Sequence, residues 1–257
     1  MKRIKEFFYD YKLLLRSVPG LVTTFFCISV VLMNLMANKT IIDVKIVALD
    51  GGFLLSWIPF LCMDTVTKRF GPKAANKLTL FALVINLFFV GIFALVAALH
   101  ITDYQVNPEE YEFGAFDSTF ACTWFVLLSS SVAFLVSGIL NNILNWVIGK
   151  SFVKNPDGKL AYVTRSYVST FVGQFIDNFI FAFLTFYIFA PIYWDFQYTM
   201  LQVLGSAIVG AFAELFMEIV FSPIGYRLSK KWKEEGVGNE YINYSLEREA
   251  KKLAEVI

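Results

Sequence analysis

Histidine, cysteine and the motifs of common catalytic sites are nearly missing from this sequence. There is one histidine, His100, and the three cysteines, Cys27, Cys62 and Cys122, lie in separate apolar runs. A single histidine forms neither a zinc site nor a Ser–His dyad, and these cysteines have the spacing of neither a metal site nor a disulfide framework. The sequence also has no zinc-protease, nucleophile-elbow or P-loop motif. We therefore expect no enzyme activity, no cofactor and no bound metal.

Charged residues are scarce as well. They make up 17% of the 257 residues, whereas 57% of the residues are hydrophobic and 28 are Phe. An average soluble domain is about 25% charged and about 45–50% apolar. A soluble fold of this size could not bury so much apolar surface, so lipid is the expected solvent for most of the chain. The net charge of +1 gives no indication of a nucleic-acid partner.

Six apolar segments are each long enough to cross a bilayer as a helix. They lie at about 20–37, 51–66, 77–99, 119–148, 166–192 and 198–222. The predicted fold class is therefore an all-α integral membrane protein with six transmembrane helices. The half-polar stretch "IIDVKIVALDGG" after the first segment is predicted to be re-entrant or interfacial, which requires protein around it. Because each half would hold three spans, a 3+3 inverted repeat is a further hypothesis.

Basic residues mark one side of the membrane. Lys and Arg gather in the N-terminal stretch, in the 67–77 and 149–165 loops and in the C-terminal tail, whereas the 100–118 loop holds only acidic charges. The positive-inside rule then predicts cytoplasmic termini and a multi-pass protein of the inner membrane. We expect an interfacial helix at 1–19, a six-helix membrane domain at 20–225 and a cytoplasmic tail at 226–257.

The fifth segment contains polar residues in an otherwise oily stretch, "STFVGQFIDNFIFAF". Four residues in it follow helical spacing along one face. They are Thr170, Gln174, Asp177 and Phe181. If the span begins near Arg165, Asp177 lies about 18 Å further on, near the midplane. An unpaired carboxylate there is costly, so the face must meet protein or water. It is either a structural carboxylate bonded to a neighbouring helix or a site for a ligand or coupling ion.

Other segments carry polar groups that could meet this face. They are Asn34, Asn38, Asp64, Asn86, serines 129–131, Asn141, Asn142, Asn145, Glu214 and Glu218. Small polar residues often only join helices. Asp64 could end a helix that reaches water, and Glu218 could snorkel to the surface, whereas Glu214 lies deeper and needs a partner such as Arg165 or Arg227. Asp64 and Asp177 are flanked by no motif of an intramembrane aspartyl enzyme.

Three stretches resemble the queuosine-precursor transporter family, also called the vitamin uptake transporter family. "MANK" (36–39) is similar to its Ala-Asn-Lys element, and "PFLCMDTVTKRFGPKAANK" (59–77) to its Pro-…-Asp-x-x-Thr-Glu-x-Tyr-Gly pattern. "TRSYVSTFVGQFIDNFIFAFLTF" (164–186) resembles its Arg-…-Ser-Thr-…-Gly-Gln-x-x-Asp pattern. The chain departs from the family at two positions, because Lys68 stands at the usual Glu and Phe70 at the usual Tyr. Coupling or substrate choice is therefore expected to differ here.

The resemblance implies a transporter for a 7-deazaguanine, namely queuine or the 7-cyano or 7-aminomethyl precursor base. A carboxylate can accept both N1–H and the exocyclic amine of such a base, so Asp177 is the expected base-reading group. The other predicted substrate-binding residues are Gln174, Asn38, Asn34, Asn141 and Phe181. Gating or coupling is assigned to Asp64, Arg165, Lys68, Glu214 and Glu218. The partners expected are the nucleobase-like substrate and the lipid bilayer, and not nucleic acid.

Two other functions stay open at this point. One is a substrate-capture subunit that needs an energising partner, like the vitamin-binding components of ECF transporters. The other is a structural membrane protein without cargo. The sequence also leaves open the preferred precursor, the choice between proton coupling, sodium coupling and facilitated diffusion, and whether the unit is a homodimer.

Overall fold

The computed structural model describes residues 2–37, 39–44, 46–99 and 124–254. Several predicted features lie outside these ranges. They are Asn38, His100, Cys122 and the acidic 100–118 loop.

The described chain is almost entirely helical. The helices are α1 (Lys2–Ser17), α2 (Gly20–Met36), α3 (Phe53–Phe70), α4 (Pro72–Ala97), α5 (Trp124–Lys150), α6 (Lys159–Ala182), α7 (Ala190–Tyr193), α8 (Met200–Glu234) and α9 (Asn239–Ala254). A π-helical segment, Phe183–Phe189, joins α6 to α7. Two antiparallel strands, β1 (Thr40–Val44) and β2 (Val47–Asp50), form a hairpin between α2 and α3. Each of the six predicted apolar segments lies largely on a helix within the described residues.

Local chemistry sets several of the helix ends. Gly71 has a φ of 85°, which glycine adopts without steric cost, and Pro72 follows at the first position of α4, so α3 and α4 are separate helices. Thr199 and Gln202 form a capping box at the start of α8. These signals place the breaks between helices where the polar loops were predicted.

Four described helices are long and apolar enough to cross a membrane. They are α4, α5, the continuous α6–α7 span (Lys159–Tyr193) and α8. Helices α1 and α2 meet at 104° and would add a fifth span only if taken together. α3 is not among them, since its 18 residues include Asp64, Lys68 and Arg69. The protein is thus a multi-pass helical membrane protein, and the six-span count and the inverted repeat stay predictions.

The bundle buries polar as well as apolar side chains and leaves large apolar side chains outside. Phe88, Phe212 and Phe216 are exposed on α4 and α8, whereas many Ser, Thr, Asn, Asp and Glu side chains are buried beside a hydrophobic core. An apolar outer surface of this kind suits a lipid solvent. Buried polar groups inside such a bundle must be paired or bind something.

The two terminal helices pack against each other at one end of the bundle. Asp10 of α1 is buried and accepts hydrogen bonds from Lys77 Nζ (2.7 Å) and Arg248 (2.5 Å). Arg16 forms an ion pair with Glu240 at 3.0 Å, and the rings of Tyr9 and Tyr244 lie 5.4 Å apart. These contacts connect α1, α4 and α9, where the sequence predicted separate N- and C-terminal segments.

The hairpin occupies the stretch that was predicted to be re-entrant or interfacial. It lies on α8, where Ser206 Oγ accepts a hydrogen bond of 2.9 Å from the backbone N–H of Ala48. Gly205 makes this contact possible, because a Cβ atom there would lie 2.3 Å from the backbone oxygen of Ile46. The hairpin therefore carries Asp50, at its end, to a fixed position beside α8.

Gly205→Ala is expected to destabilise the protein by about 1–3 kcal/mol, because the added methyl meets backbone that cannot move without displacing the hairpin. Thermal unfolding of the detergent-solubilised protein measures this change. Gly91→Ala is the matched control, since a Cβ atom at that helical glycine meets nothing within 4 Å. Equal melting temperatures for the two variants would contradict the close approach of hairpin and helix.

Candidate functional site

The predicted polar face of α6 is turned toward the protein interior. Thr170 and Gln174 are fully buried, Phe181 is 7% exposed, and Asp177 is half-buried. Asp177 lies near the middle of the 35-residue span formed by α6 and α7. The costly carboxylate therefore faces neighbouring helices, not acyl chains.

A cleft beside Asp177 brings together residues from α2, the hairpin, α3, α5, α6 and α8. Its cavity volume is about 30 Å³, and the space including the opening to solvent is about 330 Å³. The residues that line it are Met33, Ala37, Asp50, Gly52, Phe53, Ser56, Ser130, Asp177, Asn178, Phe181 and Glu214. We call it the acidic cleft, because its described lining holds three carboxylates and no Lys or Arg.

Neutral donors hold the carboxylates of the acidic cleft. Ser137 Oγ donates to Asp177 Oδ1 at 2.7 Å, and the backbone N–H of Gly52 donates to Asp50 Oδ1 at 2.7 Å. Neither acid forms an ion pair within the described part of the chain. Three acids close together without a cation are a destabilising arrangement unless a proton or a positively charged ligand joins them.

Glu214 is held differently from the way the sequence indicated. It accepts hydrogen bonds from Ser56 Oγ (2.5 Å) and Asn178 Nδ2 (2.9 Å). The expectation of Arg165 or Arg227 as its partner is therefore wrong. Gly210 explains how Asn178 reaches Glu214, because a Cβ atom at Gly210 would lie 2.8 Å from the Asn178 amide.

Two predicted amides lie near the acidic cleft with unused hydrogen-bonding atoms. Asn34 accepts a hydrogen bond from Ser130 Oγ, and its Nδ2 has no partner in the described residues. Gln174 is 0% exposed, and neither its Nε2 nor its Oε1 has a partner there. Buried side-chain amides without hydrogen bonds are rare and suggest a ligand, water or another conformation that completes them.

A second group contains two acids and one serine, and it lies nearer the start of α6 than Asp177 does. We call Asp64 of α3, Ser166 of α6 and Glu218 of α8 the inner triad. Ser166 Oγ contacts Asp64 Oδ2 and lies 2.8 Å from Glu218 Oε1. Asn141 Nδ2 donates to Asp64 Oδ1 at 2.9 Å, so this predicted substrate residue lies with the inner triad and not at the acidic cleft.

Both carboxylates of the inner triad are 0% exposed. The alternatives in which Asp64 ends a helix in water and Glu218 snorkels to the surface are therefore wrong. Sequence position alone could not show this, because the burial depends on which helices pack against α3 and α8.

The predicted gating cations do not pair with these acids. Arg165 Nε donates to Asn145 Oδ1 at 2.8 Å. Lys68 Nζ lies 5.0 Å from the centre of the Tyr162 ring and 5.2 Å from that of Tyr226, which is cation–π geometry. Lys68, at the position where the resemblance expected Glu, thus contacts aromatic rings near the end of α3.

Two other asparagines join helices, as expected for small polar residues in a membrane bundle. Asn86 bonds Ser131 at 3.2 Å, and Asn142 bonds Asn76 at 2.8 Å. These amides connect α4 to α5 and have no place in either acid group.

Sequence reasoning missed three polar residues of the acidic cleft, Asp50, Ser56 and Asn178, and the aromatic residue Phe53. Asp50 had a signal, since it immediately precedes Gly51 and Gly52, where the chain passes close to the backbone of α2. In the described part of the chain, no three His, Cys, Asp or Glu side chains are placed so that they could hold a metal ion.

A family model described as "Putative vitamin uptake transporter" matches residues 50–228. The matched range begins at Asp50 and includes both acid groups on α3, α6 and α8. No curated protein and no solved structure matches the chain.

Proposed function

The chain belongs to the vitamin uptake transporter family, and from this premise we propose that it imports a queuosine precursor through the acidic cleft. The proposed cargo is a 7-deazaguanine, and the proposed location is the inner membrane with both termini in the cytoplasm. The observation that carries the proposal is a mid-span carboxylate, Asp177, facing a cleft between helices. Membrane transporters commonly bind their substrates at this depth.

Asp177 suits the recognition edge of a guanine-like base. That edge offers two adjacent donors, N1–H and the exocyclic amine, and a carboxylate accepts both in a bidentate, charge-assisted pair. Each carboxylate oxygen has more than one acceptor site, so Asp177 can keep its bond to Ser137 when the base binds.

Aromatic side chains and free amides complete the recognition. Phe53 and Phe181 line the acidic cleft and offer flat surfaces for a purine-like ring. The free Nδ2 of Asn34 can donate to the base carbonyl, and Gln174 can donate and accept. Gln174 is enclosed in this conformation, so it would reach the base only after the helices separate.

The charge of the acidic cleft favours one form of cargo. Asp50 and Glu214 remain after Asp177 has bound the base, and neither has a cation within the described residues. The aminomethyl base and queuine carry an ammonium group at the substituent on position 7, whereas the cyano base is neutral. We propose that Asp50 and Glu214 bind this ammonium, so the cationic precursors are the preferred cargo.

Ligand binding to the detergent-solubilised protein tests the proposed function. The aminomethyl base is expected to raise the melting temperature more than the cyano base does, because a ligand that binds only the folded state stabilises it. Guanine and riboflavin serve as controls and are expected to have little effect. Stabilisation by riboflavin, or by none of these compounds, would contradict the proposal.

Uptake into liposomes distinguishes a transporter from a capture subunit. The purified protein alone is expected to move labelled aminomethyl base into liposomes. If the protein binds the base but moves none of it without added partners, the capture-subunit function is correct instead. Binding of none of the precursors would favour a structural membrane protein.

A further inference from the structure

The proposed base recognition does not use the inner triad, although both of its carboxylates are 0% exposed. Asp64 comes from α3, Ser166 from α6 and Glu218 from α8. Ser166 lies about 16 Å along α6 from Asp177, at about 1.5 Å per residue. The triad is therefore a separate site and not a part of the acidic cleft.

Hydrogen-bond counting indicates that the inner triad has a place for a proton. A serine hydroxyl has one hydrogen to donate, and an ionised carboxylate has none. Ser166 Oγ nevertheless lies within hydrogen-bonding distance of both Asp64 Oδ2 and Glu218 Oε1. Ser166 has one hydrogen for two carboxylates, so a hydrogen on one carboxyl group would give each contact a donor of its own. The observed geometry fits one proton shared by two acids.

Two buried acceptor atoms beside the triad lack a hydrogen-bond donor, which favours a positively charged partner. Glu218 Oε2 and Asn141 Oδ1 are buried acceptors without a hydrogen bond in the described residues. Neither Asp64 nor Glu218 forms an ion pair there. Buried acceptors without donors are costly, and a proton or a small cation removes the cost.

Few titratable groups face the triad from the surrounding helices. They are Cys62 on α3, Tyr162 and Arg165 on α6, and Glu214 one turn along α8 from Glu218. Arg165 gives its Nε–H to Asn145, and α5 presents neutral amides. Among these groups Arg165 alone carries a positive charge, and it acts on Asp64 through space without forming an ion pair.

Three helices connect the triad to the acidic cleft, since each contributes to both. α3 carries Ser56 and Asp64, α6 carries Asp177 and Ser166, and α8 carries Glu214 and Glu218. A movement of these helices that opens one group must displace the other. This shared construction gives a physical route by which a proton in the triad can act on the cargo in the cleft.

We propose that the inner triad is the proton-binding site that couples cargo uptake to the proton gradient. This inference rests on the proposed transport function. The triad takes one proton from water on the outer side, forming an O–H bond on Asp64 or Glu218, and releases it to the cytoplasm. With the proton bound, Ser166 bridges both acids and holds α3, α6 and α8 together. After its release, two adjacent anions repel, and Ser166 can satisfy only one of them.

Infrared spectroscopy tests the proton without any cargo. Wild-type protein is expected to show the carbonyl band of protonated carboxyl groups. In Glu218→Gln, the intensity of this band is expected to fall by the contribution of one carboxyl group. Gln supplies an N–H that can donate to Ser166, so Asp64 no longer needs the proton. Glu234→Gln, an exposed position on the same helix, is the control and should keep the full band. An unchanged band in Glu218→Gln would overturn the proposal.

Transport in liposomes tests the coupling. An inward proton gradient is expected to drive accumulation of the aminomethyl base by wild type, whereas Glu218→Gln should lose at least about 90% of that accumulation. The variant should still exchange labelled for unlabelled base without a gradient, because exchange needs no release of the proton. Accumulation driven by sodium instead, or a variant that accumulates normally, would overturn the proposal.

Two further readouts keep the outcomes distinct. If wild type moves none of the precursors, the proposed function fails, and the infrared result still decides whether the triad holds a proton. If Glu218→Gln does not fold, Ser166→Ala replaces it, since both carboxyls remain. Removal of the bridge is expected to shift the protonated-carboxyl band and the pH dependence of exchange. If neither changes, the triad is not the coupling site.

Discussion

Asp177→Asn is expected to lower uptake of the aminomethyl base about 100-fold or more, because the substitution removes a charge-assisted bidentate acceptor. Hydrogen bonds to charged groups contribute roughly 1.5–3 kcal/mol each, and about 1.4 kcal/mol corresponds to tenfold in affinity. The Asn side chain also carries an NH₂ group. In one amide orientation this group faces the donors of the base, and in the other it faces the Ser137 hydroxyl that donates to Asp177 in the wild type. Initial uptake rates in liposomes, with binding measured in parallel, give the size of the loss.

Asp195→Asn is the matched control for this experiment. Asp195 is exposed near the end of the same span, and its φ of 55° is one that Asn adopts readily. The control is expected to transport at the wild-type rate and to melt at the wild-type temperature. Full uptake by Asp177→Asn would show that this carboxylate is only a structural partner of Ser137.

The α6 polar face could be predicted from sequence because it depends on a single helix. Thr170, Gln174, Asp177 and Phe181 repeat with helical spacing, and the lipid solvent allows only an inward direction for them. The same reasoning gave the apolar segments, whose described residues are mostly helical. Such predictions need no knowledge of which helices are neighbours.

The partners of the acids could not be predicted in the same way. Sequence reasoning looked for opposite charges and gave Glu214 an arginine, whereas the fold supplies Ser56 and Asn178. Neutral donors are common in every helix of this bundle, so nothing in the sequence shows which one meets which acid. Asp50 was missed for a related reason, since its position depends on how the hairpin packs on α8 at Gly205.

The count of spans shows another limit of hydropathy. By sequence, α3 is long enough to be a span, yet it carries Asp64 and is not among the helices apolar enough to cross a membrane. Packing against other helices, and not contact with lipid, therefore holds its buried residues. Its buried middle, from Met63 to Thr67, contributes to the inner triad instead. A polar helix of this kind is stable only inside a bundle that satisfies its side chains.

Glu214→Gln is expected to reverse the order of the cargoes. Gln keeps an acceptor oxygen for Ser56 or Asn178 and nearly the same shape, so the variant removes mainly the negative charge. Loss of one partner from a desolvated ion pair costs roughly 3–5 kcal/mol, so binding of the aminomethyl base should fall about 100-fold or more.

The neutral cyano base separates this charge effect from damage to the acidic cleft. Its affinity is expected to stay within about threefold of wild type, because it has no ammonium to lose a partner and such a ratio is well under 1.4 kcal/mol. Competition of each base against labelled aminomethyl base and labelled cyano base measures both affinities on the same preparation. Glu235→Gln, exposed where α8 ends, controls for the loss of one negative charge from the protein. Equal losses for both bases would mean that Glu214 serves only to hold α3, α6 and α8 together through Ser56 and Asn178.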